Sequence, residues 1–104
     1  MTGRASRQKG AGAEREIVEI LKAHGYDVHR TPHSGALEWL KGDICGLDDF
    51  HIEVKRQEKT CIDAWCEQAE SQAEGKTALL FYRRSRQPWR VVLRLDDFLR
   101  LLER

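Results

Sequence analysis

The chain has 104 residues, 34% of them charged and 40% hydrophobic, with 18 basic against 17 acidic side chains and a formal net charge of +1. That length bounds it to one domain around a single core, and the balance is that of an ordinary globular protein rather than a disordered or fibrous one. No apolar run approaches the ~20 residues of a membrane span, and the basic start carries no apolar segment of secretory-signal type.

Residues 1–12 are rich in Gly, Arg and Lys and hold almost nothing to bury, so they are expected to form a mobile basic arm, with Arg4, Arg7 and Lys9. A single domain is expected over 13–104. Its first helix is predicted over 13–24, because Ala13, Ile17, Ile20 and Leu21 fall on one stripe and Gly25 ends it. Glu14 borders that stripe, so its carboxylate can point along the domain. Tyr26 to Thr31 reads as a first strand closed by Pro32, and 32–42 as a loop with turn signals at Ser34-Gly35 and Lys41-Gly42.

Asp43 to Gly46 and Phe50 to Gln57 read as the next two strands, joined by a hairpin at Leu47-Asp48-Asp49. A three-residue loop puts Asp43 opposite Glu53 and Ile44 opposite Ile52, with both acids on one face and both isoleucines on the other. A two-residue loop would scramble the faces, so burial selects the first register. Alternation then sends Phe50, Ile52 and Val54 into the core, and His51, Glu53 and Lys55 to the other face.

A second helix is predicted over 62–74, with Ile62, Trp65, Ala69 and Ala73 on its buried side and Gly75 as its cap. Thr77 to Tyr82 is an apolar fourth strand, and a strand–helix–strand of this length favours a parallel crossover. Gln87-Pro88 turns the chain into a fifth strand, Trp89 to Leu95. Asp96 would cap a last helix carrying Phe98, Leu99, Leu101 and Leu102. The resulting order is α-β-β-β-α-β-β-α, a mixed sheet of about five strands flanked by helices. Trp65 and Trp89 read as core. Cys45, Cys61 and Cys66 cannot all pair and fit no zinc template with the four histidines, which points to reduced thiols in a cytoplasmic protein.

Charge is segregated although nearly balanced. Residues 81–95 carry Arg83, Arg84, Arg86, Arg90 and Arg94 without an acid, whereas 62–74 are acidic. Such segregation can build a basic surface for a polyanion on a neutral molecule, or simply a solubilising face. Same-face neighbours on a strand stand roughly 7 Å apart, so Glu53 and Lys55 could work on one group. Alone, that pair would be an ordinary solvated strand face. Asp43 across the hairpin and Glu14 at its end change the reading, since carboxylates gathered this closely call for a cation. Mg²⁺ takes carboxylate and carbonyl oxygens and keeps several waters. Asp43, Glu53, the Val54 carbonyl and Glu14 through water would suit it, with Mn²⁺ as a substitute. Lys55 would steady charge on a phosphorane or orient hydroxide, in metal-assisted attack of water on a phosphodiester.

The arrangement Asp43…Glu53-x-Lys55, preceded by a Glu-bearing helix, resembles the PD-(D/E)xK nuclease superfamily. Within it the chain is similar to the archaeal-type Holliday junction resolvases, through Lys9 to Glu16, Gly25 to Arg30 with Ser34-Gly35, Gly42-Asp43-Ile44 and Ile52 to Lys55. The resemblance implies a restriction-endonuclease-like α/β fold. It makes Glu14, Asp43 and Glu53 the acids around the metal, Lys55 the catalytic lysine and Ser34 the loop serine. It also makes Arg15 and Arg30 the arginines near the scissile phosphate. It implies a homodimer that nicks four-way junctions in recombination and repair, in a bacterial or phage-infected cell, with Arg4, Arg7, Lys9, Arg83 and Arg84 along the DNA. Two departures stand out: a longer loop between Ser34 and Asp43 carrying Trp39, and Gly42 where the superfamily label has proline. Other readings stay open. They are a nuclease of flaps, ends or duplex, and a non-catalytic DNA-binding module. Arg15 could be a plain surface residue, His33 a polar loop residue, Trp39 a loop anchor or a base-stacking group, and Gln68 a site-facing residue.

Overall fold

The computed structural model describes the backbone of residues 3–32 and 42–104, with side chains from residue 10 onward in those spans. Ser34, His33 and Trp39 lie outside the described residues. Eight elements follow the expected order: α1 (Gly3–Ala23), β1 (His29–Arg30), β2 (Ile44–Cys45), β3 (Phe50–Arg56), α2 (Ile62–Gln72), β4 (Thr77–Arg83), β5 (Arg90–Val92) and α3 (Leu95–Leu102). They form one five-stranded sheet in the order β1-β2-β3-β4-β5, antiparallel throughout except for the parallel β3–β4 pair. Among the described residues, no helix is long and apolar enough to cross a membrane.

The hairpin register is the one that burial selected, with Ile44 paired to Ile52. Helix α1 ends as its sequence requires. Tyr26 N–H reaches the Leu21 carbonyl and Gly25 N–H the Lys22 carbonyl, a Schellman closure with Gly25 at φ 93°. Its start differs from the expected arm: the backbone is helical from Gly3, ten residues before Ala13. The first strand is also shorter than expected, because only His29 and Arg30 pair with β2.

The main core gathers Ala13, Ile17 and Val18 of α1 with Val28, Ile44, Ile52, Val54 and Leu79. Val18 thus takes the buried place expected of Ile20, which is 42% exposed. Trp65, Ala69 and Ala73 pack α2 on the opposite side of β3 and β4, with Trp65 tilted against Tyr82. Because both faces are covered, His51, Ile52, Glu53 and Val54 are all buried in sequence. A parallel strand inside an α/β layer has no solvated face, so the polar row of β3 is interior. The start of α3 is also corrected: the residue preceding its first turn is Arg94, whose guanidinium pairs with Asp96, while Asp97 is buried and pairs with Arg100. Its apolar residues are mostly outside the core.

The two isoleucines of α1 separate packing from mere hydrophobicity. Ile17→Ala should cost about 2–5 kcal/mol in urea unfolding, whereas Ile20→Ala should stay within about 0.5 kcal/mol.

Candidate active site

Three elements bring the predicted acids together. The tight hairpin sets Asp43 beside β3, where its N–H donates to the Ile52 carbonyl (2.7 Å) and its Oδ2 accepts from Val54 N–H (2.7 Å). Alternation on β3 places Glu53 and Lys55 on the α2 side of the sheet. Glu53 is 4% exposed, and its Oε2 is buried without a hydrogen-bond partner among the described residues. Glu14 on α1 is 9% exposed and accepts from Arg30 Nε at 2.9 Å.

Electrostatics show the strain of this gathering. Burial drives the Asp43 carboxyl up to about 6, against the Val54 amide that favours its ionised form. Repulsion from Glu14 adds to the rise, Lys55 opposes it, and a carboxyl–carboxyl hydrogen bond with Glu14 favours a retained proton. Burial likewise lifts Glu53 to about 7; Asp43 and Glu14 push the same way, and Lys55 works against them. Lys55 is therefore close enough to act on both acids.

The donor set fits a divalent cation. It offers a buried and a half-buried carboxylate that resist sharing a site as anions, the buried one with an oxygen that makes no hydrogen bond among the described residues, and a strand carbonyl beside them. Among the described residues no three His, Cys, Asp or Glu side chains form a ready-made cage. Mg²⁺ does not ask for one, since it is held through one or two carboxylates and keeps its own waters.

The basic residues divide sharply. Arg30 is engaged by Glu14, Arg15 and Arg84 are exposed, and Arg4, Arg7 and Lys9 sit on helical backbone whose side chains lie outside the described ones. Arg83 is turned inward: its guanidinium meets Glu16 at 3.1 Å and lies 5.2 Å over the Trp89 ring. Gln68 is exposed on α2. Sequence reasoning missed Glu16, which also accepts from Trp89 Nε1 at 2.9 Å and stands 3.9 Å from Arg56. Burial opposes its ionisation, but those hydrogen bonds and the Arg83 and Arg56 charges prevail and hold its carboxyl below the usual range. Its partners are 67 and 73 residues away, so no local pattern could disclose them. His51 was missed as well, having been assigned to a polar face that turns out to be interior.

A mixed sheet with a helix on each side, and Asp43, Glu53 and Lys55 on its central hairpin, defines a nuclease domain of the PD-(D/E)xK type. The model of the family described as "Phage putative PDDEXK endonuclease" matches residues 5–103, and the chain belongs to that family. Among solved structures, it is similar to Hjc of Archaeoglobus fulgidus, a Holliday junction resolvase from an archaeal hyperthermophile, with TM-score 0.59 and 24% identity over 81% of this chain and 76% of that one. No curated protein matches it. The restriction-endonuclease-like architecture expected from sequence is therefore the observed one.

Because both acids hold protons to higher pH folded than unfolded, the native state binds more protons between the ordinary carboxylate range and about pH 7. Metal-free stability should be greatest at the acid end of that window and fall as pH rises through it. A divalent cation, which takes the ionised pair, should offset the fall. At ten times its Kd it would add about 1.4 kcal/mol, or roughly 6–11 °C in Tm. Melts in EDTA and in Mg²⁺ from pH 5.5 to 8 check both signs, and Glu53→Gln should lose most of the metal response.

Proposed function

We propose that the protein is a metal-dependent endodeoxyribonuclease that hydrolyses phosphodiesters in branched DNA, as a homodimeric resolvase of four-way junctions. The observation that carries this reading is the pairing of a buried carboxylate, Glu53, with a half-buried one, Asp43, and with Lys55 on the same face. A protein that only bound DNA would gain nothing by holding two acids toward a polyanion.

Asp43, Glu53 and the Val54 carbonyl would hold Mg²⁺ or Mn²⁺, with Glu14 beside them. Bound there, the ion would supply Lewis-acid activation of water and of the scissile phosphate. The Lys55 ammonium would stabilise charge building on the phosphoryl oxygens. Arg30, by gripping Glu14, would keep that carboxyl group aimed. Ser34 would act from the loop on the strength of the resemblance alone. Exposed Arg15 and Arg84, with Arg4, Arg7 and Lys9 of α1, would meet phosphates. Such contacts position DNA without reading its sequence, as a shape-selective enzyme requires. The similarity to an archaeal resolvase favours a junction as the shape selected, and recombination or repair in the cytoplasm of a bacterial or phage-infected cell as the setting.

Dimerisation is supported by α3. Leu95, Phe98, Leu99 and Leu102 recur at i, i+3, i+4 and i+7 and are 70, 45, 48 and 64% exposed. They border an open apolar groove of about 350 Å³ lined by Tyr26, Phe50, Phe81, Val91, Phe98 and Leu101. A stripe with helical spacing left outside the core suits a second copy of the same helix.

Synthetic four-way, flapped and linear DNAs, offered with Mg²⁺ or EDTA, test the activity. Paired symmetric nicks on the junction are expected with Mg²⁺ only. Glu53→Gln and Lys55→Ala should each lose on the order of 10³-fold or more in rate, a barrier change of about 4 kcal/mol, while still binding junctions. Equal cutting of linear duplex would replace the resolvase with a general nuclease, and tight binding without cleavage would leave a DNA-binding module. Light scattering tests the assembly: Leu99→Asp with Leu102→Asp should convert a dimer to a folded monomer and uncouple the two nicks.

A further inference from the structure

His51 sits two residues before Glu53 on β3 and is 4% exposed. Its imidazole stands between the two chain segments that carry the central acids. On one side Nε2 lies 3.8 Å from Glu53 Oε2, with both side chains almost wholly enclosed. On the other side is Gly42, the residue before Asp43. A Cβ built there would stand 3.3 Å from both Cε1 and Nδ1 of the ring and 3.0 Å from the Ile52 carbonyl oxygen. The ring thus borders the Asp43-bearing turn through Cε1 and Nδ1 and faces Glu53 through Nε2, at a distance for electrostatic contact rather than a hydrogen bond.

We propose that His51 is a positioning residue for the candidate metal site: it sets the spacing of Asp43 and Glu53 and orients the Glu53 carboxylate. This inference rests on the nuclease reading. Strand β2 is two residues long and shares one registered pair with β3, so the ladder by itself gives Asp43 little lateral support. Two hydrogen bonds, to Ile52 O and from Val54 N, fix its height along β3. They do not stop the Gly42–Asp43 turn from sliding across the sheet. The imidazole does, because it occupies the space that a Cβ at position 42 would need and so stands against the turn. Mutual repulsion of the two acids pushes the ligand pair apart, and a flat, rigid ring wedged against the turn holds the gap constant. Its nitrogen edge toward Glu53 Oε2 then favours one carboxylate rotamer over the others. Groups behind metal ligands typically govern affinity in this way, by about 10–100-fold.

His51→Ala and His51→Phe in the full chain test the proposal. In metal-free protein, exchange of the Val54 amide reports whether Asp43 stays in place. His51→Ala should speed it by at least ~10-fold relative to the Leu80 and Phe81 amides of β4, and His51→Phe, which keeps a ring against Gly42, should not. Calorimetric titration with Mn²⁺ should show about 10–100-fold weaker binding for both variants, since neither presents a nitrogen to Glu53. On cleavable DNA, kcat should fall with KM unchanged. A His51→Phe protein that binds Mn²⁺ like the parent would reduce His51 to packing and overturn the proposal. So would a His51→Ala protein with unchanged Val54 exchange, or with equal acceleration across the sheet. If His51→Ala does not fold, the Mn²⁺ affinity of His51→Phe decides. Should the parent itself bind no Mn²⁺, the nuclease reading falls and Val54 exchange alone decides the role of His51.

Discussion

Two carboxylates, Glu53 buried on β3 and Asp43 half-buried at the entry to β2, repel each other, and the rest of the domain is arranged around tolerating that repulsion. In solution Asp43 and Glu53 would each be hydrated and indifferent to the other. Here burial lifts both toward neutral pH; Glu14 lifts Asp43 further, and Asp43 and Glu14 lift Glu53 further. Burying one member of an ion pair alone costs several kcal/mol, and burying like charges costs more. Such a pair persists only where the framework over-determines its position. Strand β3 supplies that framework: seven residues in continuous register with β4, covered by α1 on one face and α2 on the other. The Val54 amide and the Lys55 ammonium offset part of the cost from within the strand itself.

Helix α1 serves the same end with two acids facing different partners. Glu14 turns toward the candidate site and is held by Arg30. Glu16 turns away and ties Arg83, Arg56 and the Trp89 indole to the helix, which joins β3, β4 and the entry to β5 to α1. Arginines that the sequence offers as a basic surface are therefore partly engaged by acids of the same chain. Arg83, Arg30, Arg94 and Arg100 all pair with acids of their own chain. What is left for a polyanion is a narrower exposed set, in which Arg15 and Arg84 are examples. A net charge of +1 is consistent with that economy: local placement, not total charge, must steer any DNA.

Legibility followed locality. The hairpin register could be read because a one-residue slip would exchange the isoleucines for the acids, an error large in free energy and visible in eleven residues of sequence. The end of α1 could be read at Gly25 because the left-handed closure needs glycine. The Ile52-Glu53-Val54-Lys55 strand and its partner Asp43 could be read for the same reason of proximity. Features set by distant segments could not. Nothing between 50 and 56 tells that α2 will cover the polar side of β3, so His51 looked solvated. Nothing in 13–24 tells whether Val18 or Ile20 meets the sheet, because both border the stripe and the sheet decides. Helix α3 has the strongest apolar pattern in the chain, yet most of that pattern lies outside the core. Periodicity reveals that a face is apolar and says nothing of what will cover it.

Gly42 shows how the site can depart from its superfamily's pattern without losing its chemistry. Proline is locked near φ −65°, whereas Gly42 sits at +84°. A side chain there would also press on the Ile52 carbonyl and on the His51 ring. The turn into Asp43 therefore needs a residue with no Cβ, and it needs one because an imidazole fills the space beside it. Glycine at 42 and histidine at 51 are two halves of one packing solution. A proline would approach from a different backbone direction and leave the ring no room. The height of the following carboxylate along β3 is fixed by the Asp43 N–H to Ile52 carbonyl bond and the Val54 N–H to Asp43 Oδ2 bond, neither of which involves the side chain of the residue before it. For the candidate site the acid at 43 is the requirement, and its predecessor is free to change if the strand opposite changes with it.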